Sequence, residues 1–343
     1  MNDTKDKATD KLNASRPYLR TVRYIFQWSL VLIILMSGYS LYEFHRRLSV
    51  GDLPDFSKPL AVEGFMPIGA LMSLKLWITK GIFDPVHPAA LVIFITALLL
   101  ALLLKKGFCG WVCPVGTISE IVWKTGKKIF GKNVILPRSV DYPLRSLKYL
   151  LMAFFLYIIV IKMSPDAIHA FLYTPYWKVA DLKLLVFFTD MSTTTLVVLL
   201  TLTVFSLLIK NAWCRYLCPY GALLGLISML SPLKITRNED ACIHCKTCTQ
   251  SCPSMLPVES KERISSPECI GCLTCVSKCP AHGALDVALV SKKRINPLVH
   301  VALVIILFWG SVVFARAVNH WNTGITNAEY VKIVPFLERL EHP

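Results

Sequence analysis

Apolar residues in this chain fall into long unbroken runs rather than alternating or striped patterns. Five runs of about twenty residues lie near 22–42, 86–104, 144–162, 191–209 and 297–316, the length a helix needs to cross a bilayer. A sixth stretch, 64–80 ("GFMPIGALMSLKLWITK"), carries Pro67, two glycines and Lys75, and reads as a short re-entrant or interfacial helix. One substantial polar segment, 233–292, separates the fourth run from the fifth. The expected organisation is an N-terminal segment (1–21), a four-helix membrane part (22–232), a soluble insert (233–292), a fifth span (293–316) and an external tail (317–343). The first run is too long for a signal peptide and is expected to be retained as a span.

Composition agrees: apolar residues make up 54% of the chain and charged residues 17%, which places it in the membrane class. The net charge of +15 raises nucleic acid as a partner, but its distribution argues otherwise. Residues 1–23 hold six Lys/Arg against three acids and 105–145 hold eight against two, whereas 43–86 hold five against five and 163–192 two against three. Such alternation is what the positive-inside rule expects. The N-terminus, the 105–145 loop and the 210–296 segment are therefore expected on the cytoplasmic side, with the tail outside. The basic charge reflects topology, and no nucleic-acid partner is expected.

All twelve cysteines fall on that cytoplasmic side or its membrane edge, a distribution that favours metal or redox chemistry over disulfides. Eight form two runs, "CIHCKTCTQSCP" at 242–253 and "CIGCLTCVSKCP" at 269–280. Both match C-x2-C-x2-C-x3-C-P, in which three thiolates wrap one cubane and the fourth reaches the other cluster. The expected ligands are Cys242, Cys245, Cys248 and Cys279 for cluster one, and Cys269, Cys272, Cys275 and Cys252 for cluster two. Zinc is the competing reading for any C-x2-C pair, but zinc does not call for the repeated fourth cysteine and proline. His244 and His282 read as surface residues near the clusters, and Lys246 and Lys278 as solvated cations or docking charges for an acidic partner. No haem or nucleotide motif is present, and His87, His169 and His300 do not form a convincing bis-histidine haem pair. The expected fold class is thus a mainly α, polytopic membrane protein of about five transmembrane helices with an inserted bacterial-type two-cluster 4Fe–4S ferredoxin domain.

The other four cysteines lie in two related stretches, "FCGWVCPVG" at 108–116 and "WCRYLCPYG" at 213–221. Each follows an apolar run and a boundary lysine, and each precedes further helical sequence; the first continues into the amphipathic "TISEIVWKTGKKIF". This is an internal repeat of span, cysteine elbow and lateral helix, and a pseudo-twofold axis along the membrane normal could bring the elbows together. Cysteines four apart share one helix face. Cys109, Cys113, Cys214 and Cys218 could then ligate a third metal centre, cycle as redox dithiols, bind copper through soft thiolates, or pack as small buried residues. Trp111 and Trp213 read as interfacial anchors or as the lining of a quinol pocket.

The ordered set "HP" (87–88), a long span, "FCGWVCP", "WCRYLCP" and the twin ferredoxin runs resembles the NapH/MauN-type membrane ferredoxins, a group that includes YccM-like proteins. The related NosR and CcoG (FixG/RdxA) families share the core. The likeness covers about 80–300. NapH-like proteins generally end soon after the ferredoxin segment, whereas this chain adds a fifth span and a tail; CcoG-like chains carry a larger external domain there. The resemblance implies a quinol dehydrogenase-type component of a bacterial inner membrane. It would carry electrons between the quinone pool and respiratory partner subunits (a reductase, cytochrome or ferredoxin), with the elbow cysteines as a redox or partner site. Two alternatives are a CcoG-like copper reductase or oxidase-assembly factor, and a membrane redox sensor.

Overall fold

A computed structural model of the chain describes residues 16–290 and 293–340. Most of the expected N-terminal segment, the last two residues of the insert and the last three of the tail lie outside the described residues. The described chain is mainly helical and divides into two compact units. Unit one gathers residues up to Leu30 with Ala97–Met152 and Thr201–Trp309; unit two gathers Val31–Thr96, Ala153–Leu200 and residues from Gly310 onward.

Three helices are long and apolar enough to cross a membrane: Tyr18–Ser49, Arg138–Lys162 and Pro297–Ala317. They coincide with the runs expected at 22–42, 144–162 and 297–316. The run at 191–209 forms Thr193–Leu208, paired with Ala180–Thr189 at a bend of 79°. The run at 86–104 forms the 16-residue helix Pro88–Leu103, about 24 Å long at 1.5 Å per residue and short of the ~30 Å hydrocarbon core. Proline opens that helix, and Lys105 in a left-handed conformation (φ 59°) follows its end. Five expected spans thus become three full-length helices, or four if the bent pair is one. Many exposed side chains along the long helices are apolar, among them Leu35, Met36, Leu150, Phe154, Val313 and Phe314, as a lipid-facing surface requires.

Within unit one, the insert is closed by a small antiparallel sheet: β1 (Lys234–Arg237), β2 (Leu285–Ala288) and β3 (Arg294–Ile295), in that order. Lys234 pairs with Ala288 and Arg237 with Leu285, so β1 and β2 clasp the two ends of the cysteine-bearing segment. The lateral helix Pro114–Phe130 buries a polar and small face, Thr117, Ser119, Glu120, Trp123 and Gly126. Its Ile118, Ile121 and Ile129 point outward. Gly126 permits a close approach, since a Cβ there would stand 1.8 Å from the Leu207 carbonyl oxygen.

Within unit two, the interrupted stretch forms the helix Pro67–Lys80. Its Lys75 ammonium donates to the carbonyls of Ile159 (3.0 Å), Val160 (2.9 Å) and Met163 (2.5 Å). The charge that interrupts the run therefore satisfies the end of a neighbouring helix, where the dipole favours a cation. The tail also packs: Tyr330, Val334 and Leu337 join Leu41, Phe44, Leu48, Val179 and Leu182 in one apolar core.

Candidate functional site

The two ferredoxin runs fold as near copies. Each has left-handed residues at matching positions, His244 and Lys246 in the first, Gly271 and Leu273 in the second. A short helix follows each, Thr247–Ser251 and Thr274–Ser277. Alternating left- and right-handed residues turn successive backbone N–H groups toward a common centre, which suits an anionic cluster. Cys252, from the first run, lines one cavity with Cys269, Cys272 and Cys275 of the second, walled by Ile235, Leu256, Val258 and Ile264. Cys248 and Cys279 lie within electrostatic reach of each other. The all-thiol donor sets and the apolar enclosure fit 4Fe–4S clusters. Among the described residues, no three cysteine sulfurs lie within 4.8 Å of one another. Thiolates around a single zinc, with bonds of ~2.3 Å, would stand under ~4 Å apart. Cys245, in the first set, is exposed, whereas Cys248 of that set and Cys252 and Cys275 of the second are buried. His244 and His282 are exposed.

The elbows repeat in detail. Lys105 or Asn211, both left-handed, ends the preceding helix. A π-helical turn follows, Phe108–Val112 or Trp213–Leu217, closed by Cys113 N–H to Phe108 O (2.9 Å) or Cys218 N–H to Trp213 O (3.1 Å). Such turns are rare and concentrate at functional sites. The second cysteine then caps a helix whose first residue is proline, Pro114 or Pro219. The Gly221 N–H donates to Cys218 Sγ at 3.2 Å.

Each elbow holds one ferredoxin loop. From the first, Trp111 Nε1 donates to Gly271 O at 3.0 Å, and a Cβ on Gly110 would stand 2.3 Å from Ile270 O. From the second, Arg215 Nη1 donates to Ser254 O (2.7 Å), Asn211 to Pro253 O (3.3 Å) and Lys210 to Gln250 O (3.2 Å). Those loops carry Cys269, Cys272 and Cys252. Trp111, expected at the membrane interface, is 1% exposed because its N–H is spent on Gly271; Trp213 remains at the surface.

Charged partners absent from the sequence reading fix this assembly. Arg23 donates from Nε to Gly110 O (3.0 Å), reaches Thr274 (3.2 Å) and pairs with Glu120 at 2.5 Å, while Gln27 also donates to Gly110 O. Lys148 pairs with Glu268 at 2.6 Å, joined by the Tyr149 hydroxyl at 2.9 Å, directly before Cys269. Arg215 and Asp141 form a bidentate pair at 2.9 Å, to which Tyr216 donates at 2.8 Å. A lone arginine at the start of an apolar run was the available signal for Arg23. Beside these elements, a cavity of about 210 Å³ is lined by Arg20, Lys124, Lys127, Lys210 and Lys278 with Tyr24 and Trp123.

Unit two holds a second polar cluster. His87 Nε2 donates to Trp177 O (2.7 Å), and its Nδ1 meets Glu63 Oε1 at 2.9 Å. Glu63, His87 and Asp181 are fully buried and close enough together to ligate an ion. The Lys58 ammonium already occupies that place, 2.8 Å from Asp181 and 3.2 Å from Glu63. His87 is thus engaged within unit two, and the ring of His300, in unit one, is buried without a hydrogen bond.

The family model for a 4Fe–4S binding domain matches residues 86–133 and again 191–238, one elbow in each match, and that for a 4Fe–4S dicluster domain matches 234–280. The chain is 41% identical over 292 residues to the electron transport protein YccM of Escherichia coli (strain K12), covering 83% of this chain and 82% of that one. The chain belongs to the YccM-like group of NapH/MauN-type membrane ferredoxins. Identity to the ferredoxin-type protein NapH of Haemophilus influenzae (strain ATCC 51907 / DSM 11121 / KW20 / Rd) is 29% over 162 residues, 46% of this chain and 51% of that one. Identity to the regulatory protein NosR of Stutzerimonas stutzeri is 26% over 146 residues, 42% and 19% respectively. No solved structure matches the chain. Membership in this group makes the chain an iron–sulfur electron-transport protein of ferredoxin type.

Proposed function

We propose that this membrane ferredoxin is a quinol dehydrogenase-type component that carries electrons between the quinone pool and a respiratory partner. Cys242, Cys245, Cys248 and Cys279 hold one 4Fe–4S cluster, and Cys269, Cys272, Cys275 and Cys252 the other. One-electron transfer is the chemistry those clusters supply. The observation that carries the ligand assignment is the cavity in which Cys252 joins three cysteines of the other run. The chain's own residues do the positioning: Trp111, Arg215 and Asn211 tie the inner set to the elbows, and the sheet closes the insert.

The protein lies in a bacterial inner membrane, with the N-terminus and ferredoxin domain cytoplasmic and the tail outside. Loop charges support this orientation, as do the outward isoleucines of Pro114–Phe130. The exposed Cys245 and the basic cavity beside the first run suit an acidic partner, because lysines around an electron-exchange site steer anionic surfaces to it. The deciding experiment is anaerobic reduction of the purified protein by menaquinol or ubiquinol, with the clusters read by EPR. Reduction that a quinol-site inhibitor abolishes supports the reading. Clusters that stay oxidised with quinol but are reduced by a cytoplasmic ferredoxin or flavoprotein overturn it.

A further inference from the structure

We infer that the two elbows together hold a third iron–sulfur cluster, ligated by Cys109, Cys113, Cys214 and Cys218. Each segment matched as a 4Fe–4S binding domain supplies one elbow, and so only two of the four thiolates a cubane takes. Neither can hold a cluster alone. Every pair among these four cysteines lies within electrostatic reach, so the repeat completes one ligand set across two halves of the membrane part.

Three observations separate a cluster from the other readings. All four cysteines are free rather than paired as disulfides, and among the described residues no three sulfurs crowd within 4.8 Å. Thiolates around a single zinc ion would stand closer, whereas iron and sulfide hold thiolates apart; among the described residues the ferredoxin cysteines likewise bring no three sulfurs within 4.8 Å. Second, Cys113 and Cys218 hold the N-cap positions of the helices Pro114–Phe130 and Pro219–Ile227, and Cys218 Sγ accepts the Gly221 N–H at 3.2 Å. Bonds of this kind to cluster sulfurs stabilise the negative charge and tune its potential.

Third, Lys106 is 3% exposed, and its ammonium lies within electrostatic reach of the Glu268 carboxylate, which Lys148 already pairs at 2.6 Å. Its Nζ would stand 3.6 Å from a Cβ placed on Gly221, and Cys218 Sγ would stand 3.4 Å from that same point. The ammonium and the sulfur thus border one spot, and Lys106 lies within electrostatic reach of Cys109, Cys113 and Cys214 as well. A buried cation that shares a carboxylate with a second lysine is costly. Four thiolates around a cubane carry net negative charge and supply a further anion beside it. Packing alone would leave Lys106 and Lys148 together against the Glu268 carboxylate. The Trp111–Gly271 bond then sets this third centre against the loop of cluster two.

This inference deepens the electron-transfer reading, but its test does not depend on any donor. Iron and acid-labile sulfide are counted in the anaerobically purified protein, alongside EPR of the dithionite-reduced state. The expected content is about twelve irons, from three cubanes. Cys109→Ser with Cys214→Ser should remove about four irons and leave both ferredoxin signals in place. Lys106→Gln should retain all the iron and lower the potential of one EPR component, because the reduced form loses its nearest cation. About eight irons in wild type with no change in Lys106→Gln overturns the inference, as does one equivalent of copper or zinc at the elbows. Should the double cysteine variant fail to accumulate, the wild-type count and the Lys106→Gln potential decide. Failure of quinol reduction, with about twelve irons present, would overturn the donor assignment and leave the third centre standing.

Discussion

Trp111 donates its indole N–H to the Gly271 carbonyl at 3.0 Å, joining the first elbow to the middle of the Cys269–Cys272 loop. The bond is buried, and it spans 160 residues of chain. Replacing Trp111 with Phe keeps an aromatic ring and removes only the donor. The expected cost is about 1–3 kcal/mol, because a buried carbonyl loses its partner. A redox titration followed by EPR should show the signal of cluster two shifted or broadened and that of cluster one unchanged. Equal effects on both signals would mean the bond is not specific to that loop.

Interleaved ligation makes a sharper test. Cys252 belongs by sequence to the first run, but it lines the cavity of the second. Cys252→Ser should therefore abolish or alter the EPR signal of the cluster built on Cys269, Cys272 and Cys275. Cys279→Ser should do so for the cluster built on Cys242, Cys245 and Cys248. A pattern in which each substitution damages its own run's cluster would refute the crossing.

Arg23 and Glu120 form a buried pair at 2.5 Å, and Arg23 also holds the Gly110 carbonyl. Glu120→Gln leaves the guanidinium without its counter-charge and should cost about 3–5 kcal/mol, read as a lower melting temperature in detergent. Burial raises the Glu120 carboxyl, but Arg23 and Lys124 outweigh it and hold the group below the ordinary range. A depressed carboxylate contributes stability above its unfolded value and loses it as pH falls through the folded value. The gap between wild type and Glu120→Gln should accordingly be constant from about pH 8 to pH 5 and shrink below about pH 4.

In unit two, Lys58 serves as the cation for Glu63 and Asp181. Lys58→Met should destabilise the protein by about 3–5 kcal/mol, since two buried carboxylates lose their common partner. Adding Asp181→Asn should recover part of that loss. A chelator should leave the wild-type melting of this unit unchanged. Stabilisation of Lys58→Met by a divalent cation would show that the three remaining groups ligate metal once the ammonium is gone.

The dicluster segment was legible because cluster geometry dictates cysteine spacing within a dozen residues, and the spacing survives in the linear chain. The elbow repeat was legible for the same reason. What joins them was not. Arg23 meets Gly110, and Lys148 meets Glu268, across 87 and 120 residues, and a lone charge in an apolar run announces a partner without naming it. Full-length helices match three of the five expected spans, but not the runs at 86–104 and 191–209. Hydropathy records how much apolar sequence is present, but not where Pro88, Lys105 or the break after Thr189 interrupts the helix. Lys75 was read as a disruption, and in the fold it caps a neighbouring helix end.

The tail's place in the core bears on how the protein can be handled. Tyr330 is fully buried against Phe44, ring to ring at 5.6 Å, and Val334 and Leu337 are buried beside it. A reporter fused after Leu340 leaves that wedge seated. One fused before Asn327 pulls it out, and a loss of signal there would report a broken fold rather than the side of the membrane on which the terminus lies.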